Sequence, residues 1–261
     1  MAKKTKREQA QMFADQMADV LGDNLRSLIM FGSAVRGGFG PEHAEVNLLL
    51  IVDDASMSAL RPIGRAITDW VKRRFPAPLI FTEREWRAST DVFPMEIEDM
   101  RDAHELLYGA DPFDGLDTTR EQLRHELERE IRGKLLQLRA EYAAVATDGK
   151  ALTRLLIDSA GTFFVLMRGT VRLTGGTPAE NPLALVRLAS EAAGLDASAF
   201  DWVVDKIAGR TVRALKPYDD IGARYVDELE KLAHFVDGYD EWTAASPAQA
   251  AVAAEDTTDE K

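Results

Sequence analysis

The 261-residue chain contains no cysteine, which excludes thiol catalysis, thiolate-bound metal and a disulfide framework. It has no apolar run near the ~20 residues that span a bilayer. Its basic opening, Met1 to Arg7, has no apolar segment behind it, so a secretory signal is not expected. Positive charge is also short. Against 44 Asp and Glu there are 32 Lys and Arg, a formal net charge of −12, so the dense basic face of a non-specific duplex binder is not expected, while a local basic patch remains compatible with these totals. What is there is an ordinary globular mixture, 46% hydrophobic and 29% charged, in a chain long enough for one large or two modest domains with real cores. No internal repeat is visible. The expectation is a cytoplasmic protein that does not enter a membrane.

The first part of the chain alternates short apolar runs with glycine-rich breaks. Phe13, Met17, Val20 and Leu21 mark one stripe of a helix over Glu8–Leu21, stopped by Gly22-Asp23-Asn24. Leu25–Phe31 reads as a strand, and its run Leu28-Ile29-Met30-Phe31 suits burial on both faces. A glycine-rich stretch, Gly32–Pro41, leads to a second strand over Glu45–Val52. Ser56 caps a helix reaching Phe75, which Pro76-Ala77-Pro78 ends. Leu79-Ile80-Phe81 is a short strand, and Thr82 with Glu85 forms a capping box for a short helix through Arg87. Asp91–Glu98 reads as extended, and Asp99–Leu107 fits helix and strand equally. Tyr108–Gly115, rich in Gly, Pro and Asp, marks a boundary.

Beyond it the texture is helical. Thr118 or Thr119 caps a helix to Val145, with Leu123, Leu127, Ile131, Leu135, Leu138 and Tyr142 on one face. Further helices are expected over Leu152–Leu173, Pro182–Ala193, Phe200–Arg213 and Ile221–Tyr239, with Phe163, Phe164, Leu166 and Met167 as core. The fold class is therefore α+β, a small mixed sheet followed by an antiparallel helical bundle. The expected domains are residues 1–115 and 116–242, with a disordered acidic tail over 243–261.

The informative segment follows the first strand. It reads Phe31-Gly32-Ser33-Ala34-Val35-Arg36-Gly37, with Ala44-Glu45-Val46-Asn47-Leu48-Leu49 shortly after. A strand, Gly-Ser, about a dozen residues and then Asp-x-Asp on the next strand is the opening of the nucleotidyltransferase fold of the polymerase-β-like superfamily. The segment resembles its minimal and aminoglycoside nucleotidyltransferase branches, and Leu107–Phe113 resembles the end of their core. The resemblance covers about residues 10–115 by motif and the rest only by architecture. It implies Mg²⁺-dependent transfer of a nucleotidyl group from an NTP to a hydroxyl. In that reading Gly32 admits a phosphate close to the backbone, Ser33 offers a hydroxyl and an N–H to its oxygens, and Arg36 neutralises its charge. Glu45 and Asn47 occupy the metal-bearing and catalytic positions, two apart on a strand and so on one side. The helical domain of such proteins also supplies cations to the nucleotide. Arg132 and Lys134 are the candidates here, against the plainer reading that they pair with Glu128 and Glu130 on the helix surface. Gly133 between them is out of place in a helix interior and points to close approach of another backbone.

The departures from that pattern are departures in charge. Glu45 keeps a carboxylate on a longer arm, but Asn47 offers only a neutral oxygen. The third acid expected on Ala77–Thr82 is missing. Glu96, or Glu98 two residues later, is the candidate replacement if that segment is a strand, the plainer reading being a solvated face. The expected function is thus a nucleotidyltransferase-like protein with a degenerate metal site, binding a nucleotide or a partner with weak or no transfer. The alternative is an active Mg²⁺-dependent transferase acting on a small molecule or a protein. An NTP or other nucleotide is the expected partner, and the acceptor stays open, although an acidic surface suits a cationic one. Arg120 and His125 match a loose helical-ribonuclease pattern in the wrong place, and His43 and His104 lack any ligand spacing.

Overall fold

In the computed structural model residues 4–36 and 45–239 are described. Helix α1 (Lys6–Leu21) starts where Thr5 and Glu8 close a capping box, and it buries Ala10, Phe13, Ala14 and Met17. Strand β1 (Leu25–Phe31) runs into the four-residue helix α2 (Ser33–Arg36), and strand β2 (Asn47–Val52) follows. Next come α3 (Met57–Leu60) and α4 (Gly64–Lys72), then β3 (Leu79–Thr82) and α5 (Glu83–Arg87). Helix α6 (Pro94–Asp102) and strand β4 (His104–Gly109) complete this part. The sheet order is β3-β2-β1-β4, with β1 antiparallel to both neighbours and β2 parallel to β3.

Both faces of the two central strands are covered, which is why they read as unbroken apolar runs. Leu28, Met30, Leu48, Leu50 and Val52 pack against Phe13 and Met17 of α1 and Trp70 of α4. Ile29, Leu49 and Ile51 pack against Trp86 of α5 and Ile97 and Met100 of α6. A third core belongs to α7 (Arg120–Val145), α8 (Gly149–Leu173), α9 (Pro182–Ala193), α10 (Asp201–Ile207) and α11 (Asp220–Asp237). Leu127, Ile131, Phe163, Met167, Tyr225 and Leu229 are at its centre, joined by Met95 of α6. No strand lies between 119 and 239 among the described residues, and no helix there is long and apolar enough to cross a membrane.

Several elements differ from the sequence reading. The segment expected to be extended over Asp91–Glu98 becomes helix α6 from Pro94, whose fixed φ and missing N–H suit a first helical position. Strand β4 then takes the second half of the ambiguous stretch. The helix expected over Ser56–Phe75 breaks at a 3₁₀ turn, Arg61–Ile63, around Pro62, which has no N–H to give the preceding turn. Strand β2 starts at Asn47, so Glu45 stands just outside it. Helix α10 stops at Ile207, before Gly209 at φ +69°. The acidic tail lies outside the described residues.

Two glycines of the bundle behave oppositely. A Cβ on Gly149 would stand 2.1 Å from the Leu215 carbonyl oxygen, whereas Gly133 faces open space and no backbone approaches it. Gly133→Ala is therefore expected to stabilise the protein by about 0.5–1 kcal/mol through helix propensity alone. Gly149→Ala is expected to destabilise it by about 3 kcal/mol, at the upper end of overpacking costs because the obstacle is backbone. Urea unfolding of both variants checks the pair of signs.

Candidate functional site

The site grows from the end of β1. Gly32 has φ +84°, donates its N–H to Ala103 O at 3.0 Å, and accepts at its carbonyl from the Val35 and Arg36 amides at 3.0 and 2.9 Å. The Ser33 hydroxyl accepts from the Glu45 N–H at 2.8 Å, and the Ala34 N–H donates to Glu45 O at 3.1 Å. The Gly-Ser turn is thereby stitched to the entry of β2. Phe31 lies in register between Asn47 and His104, so these three share one face. A Cβ on Gly32 would meet the Asn47 side-chain nitrogen at 3.1 Å, so glycine is needed there for contact as well as for φ.

Arg36 points inward to α6. Its Nη2 lies 2.9 Å from the Asp99 carbonyl and 3.3 Å from Asp99 Oδ1, and its side chain is only 9% exposed. Arg168 of α8 meets the same carboxylate with two bonds, 2.6 Å to Oδ1 and 3.0 Å to Oδ2. Arg172, one turn on, reaches Asp99 Oδ1 at 2.9 Å and Asp102 Oδ2 at 2.6 Å, while its buried Nη1 has no partner. Burial pulls the Asp99 carboxyl upward. Hydrogen bonding and charge from Arg168, then charge from Arg172 and Arg36, outweigh it and hold the group below its ordinary value. Burial also lowers Arg36, with Asp99 opposing and the other two arginines adding to the shift. Three guanidinium groups against two carboxylates leave one positive charge at this junction.

The structure brings Gly32, Ser33, Arg36 and Asn47 together, joins Glu45 to them through its backbone N–H and carbonyl, and gives the remaining predicted residues other partners. Arg132 pairs with Glu128 at 3.1 Å and with Asp237 of α11 at 2.8 Å. Lys134 lines a groove between α7 and α8 with Glu141, Asp158 and Phe163. Two residues on a helix are about 200° apart, so these two cations cannot serve one site from the same face. The cations that α8 does give the turn are Arg168 and Arg172, which sequence reasoning missed; two arginines at i and i+4 inside the apolar helix mark a face but not what that face meets. Glu96 and Glu98 are likewise split by the helical geometry of α6. Glu98 accepts from Arg101 and Thr118, and Glu96 sits beside Glu126 of α7. His104 is tied through its ring nitrogens to Arg101 O at 2.9 Å and Asp111 Oδ2 at 3.2 Å. His43 lies outside the described residues.

The donor set of the described residues does not fit a two-metal clamp. Carrying the β2–β3 register back two residues from Leu49–Leu79 sets Ala77 beside Asn47, so no acid enters from β3. Both Asp99 oxygens are taken by arginine. Among the described residues no three His, Asp or Glu side chains gather as a metal site. Among the described residues what remains is one exposed carboxylate, Glu45, and one amide oxygen, Asn47, too little charge for a divalent pair held by these residues.

No protein-family model and no curated protein matches the chain. Among solved structures it is similar to spectinomycin adenyltransferase AAD(9) from Enterococcus faecialis with ATP and spectinomycin, at 12% identity and a TM-score of 0.46, over 90% of this chain and 100% of that one. A likeness that low transfers no activity to this chain.

Two carboxyl groups give opposite pH signatures. Asp99→Asn leaves buried guanidinium groups without their counter-charge and is expected to cost about 3 kcal/mol. Because the folded Asp99 is depressed, its contribution in the wild type is present above the ordinary value of 3.8 and is lost as pH falls below it. Glu126 is buried, and burial, opposed by the Met95 N–H and reinforced by Glu96, pushes it up to about 7. Its contribution is full below 4.5 and fades as pH rises through 7. Glu126→Gln keeps an acceptor for Met95. It is expected to flatten the stability profile between those values and to exceed the wild type at pH 8 by on the order of 1–3 kcal/mol. Thermal unfolding across pH reads both effects.

Proposed function

We propose that the protein binds a nucleotide at the Gly32–Ser33 turn and transfers nucleotidyl groups weakly or not at all. The observation that carries this is the pairing of a glycine-dependent turn, shaped as a phosphate cradle is, with a neutral Asn47 packed against it. Gly32 gives a phosphate close access, Ser33 presents its hydroxyl, and the excess positive charge of the Arg36–Asp99–Arg168–Arg172 junction lies behind the turn. The unfilled third acid position supports binding over transfer. The described residues at the turn offer too little charge to hold a divalent pair, and this supports recognition of phosphate by the chain's own donors.

Glu45 is bonded to the turn through its backbone N–H, and its side chain is a carboxylate next to β2; this favours the second reading, an active Mg²⁺-dependent nucleotidyltransferase. Calorimetric titration of ATP separates the two. The expected outcome is saturable binding that persists under chelation, weakened about 5–10-fold by Ser33→Ala through loss of a charge-assisted hydrogen bond. Asn47→Asp should weaken binding without Mg²⁺ and tighten it with Mg²⁺, since the variant adds a charge that only a cation can offset. Pyrophosphate release by the wild type with a defined acceptor, abolished by Glu45→Gln, would establish the active reading instead.

A further inference from the structure

The groove that Lys134 lines is built by α7 and α8 alone, and none of its described lining residues belongs to the Gly32–Ser33 turn or bonds with it. Its volume is about 270 Å³, near the lower end of small-ligand sites. Its floor is apolar and fixed. Leu138 and Phe163 are buried there, the Phe163 ring stands edge-on to Tyr225 at 6.2 Å, and the Ser159 and Tyr225 hydroxyls are 3.1 Å apart. The rim is charged. Lys134 and Glu141 are seven residues apart on α7, about 10 Å along its axis, and Asp158 stands on α8. A Cβ on Gly169 would lie 3.0 Å from Leu127, and one on Gly222 would lie 3.0 Å from Tyr142 and 3.2 Å from Leu152, so the two helices run antiparallel. Lys134 is therefore at the Thr162 end of the groove, Glu141 at the Leu155 end, and Asp158 between them. Of the other exposed arginines of α7, Arg129, Arg132 and Arg139 each meet a carboxylate. Lys134 and Asp158 border one groove, yet neither has an ion pair with a described residue. Opposite charges thus face the same apolar floor from separate places along it.

We infer that this groove binds a dipeptide with free termini. Its carboxylate meets Lys134, its ammonium meets Asp158 and Glu141, and an apolar side chain rests on Leu138 and Phe163. The spacing selects this class. Thr162, at the lysine end, is one turn or about 6 Å from Asp158, with Glu141 beyond. Two extended residues hold their terminal charges up to about 7 Å apart. In a single amino acid both charges sit on one carbon, so it reaches one end of the groove only. A simple anion or amine likewise satisfies one end and leaves the other charge unmatched. The inference does not rest on the reading of the Gly32–Ser33 turn.

The test is calorimetric titration of the full chain with glycyl-leucine, its N-acetyl form, its C-terminal amide and leucine. Saturable one-to-one binding of glycyl-leucine is expected, weakened about 10-fold in Lys134→Met and in Asp158→Asn through loss of a charge-assisted bond. Both side chains are exposed, so both variants should fold. The amide should bind about 10-fold more weakly than the free dipeptide and lose nothing further in Lys134→Met, and the N-acetyl form should behave likewise toward Asp158→Asn. Binding should be unchanged in Ser33→Ala and in Glu191→Gln, an exposed acid of α9 outside the groove. No saturable binding would overturn the inference, as would blocked dipeptides that bind as tightly as the free one. Leucine binding equally well would show that separated charges are not what is recognised. Equal weakening in Glu191→Gln would mean diffuse charge, and loss in Ser33→Ala would place the ligand at the turn; either result also overturns it.

Discussion

Asp99 is ionised where water reaches it poorly, with 18% of its side chain exposed, because three guanidinium groups converge on it from two separate segments. Arg36 arrives from the Gly-Ser turn, and Arg168 and Arg172 arrive from the middle of the helical bundle. Such a cluster adds little net stability over an apolar replacement, but breaking it is costly, and its two-bonded Arg168 fixes direction as well as distance. Its consequence is positional. The turn cannot move relative to α8 without separating opposite charges in a poorly solvated place. The arginines that stand behind the turn therefore also determine where it sits.

Helix α6 carries this link because it belongs to two cores at once. Ile97 and Met100 fill the face of the sheet, while Met95 enters the bundle against Gly169, where a Cβ would lie 3.3 Å from its sulfur. A helix asked to serve two surfaces has apolar residues on more than one stripe, and that is why its sequence reads poorly. Pro94 also suggests a break when it in fact opens the helix. By contrast β1, β2, α7 and α9 were legible from sequence. Each buries what its own periodicity displays, and each has a local cap or turn, such as Thr119 on Gln122 or Asn181 before Pro182.

The same division applies to the site. That Gly32, Ser33, Glu45 and Asn47 meet was legible because a turn and the strand it meets are close in sequence and constrain each other through backbone. Arg168 and Arg172 were not, since they contact Asp99 from 69 and 73 residues away and no local pattern encodes that meeting. Arg132 and Lys134 looked equally suitable by charge. Helical phase, which places one toward α11 and the other toward α8, removed them. Charge type in a sequence is thus informative about a site only once the face is known.

Neutrality at position 47 has a consequence for binding that runs against the idea of simple decay. A pair of carboxylates beside a phosphate cradle repels a triphosphate unless metal ions stand between them, so an Asp-x-Asp site is competent only when loaded. With Asn47 against Gly32, the turn presents an amide where that repulsion would arise. The remaining carboxylate, Glu45, is exposed and screened by solvent. On the proposed reading the neutral residue at 47 and the lack of an acid on β3 act in one direction. Each weakens the hold on a divalent cation, and together they lower the need for one in holding a phosphate. On the proposed reading, a chain that kept the turn and gave up the metal charges retains what recognition requires while losing what in-line transfer requires.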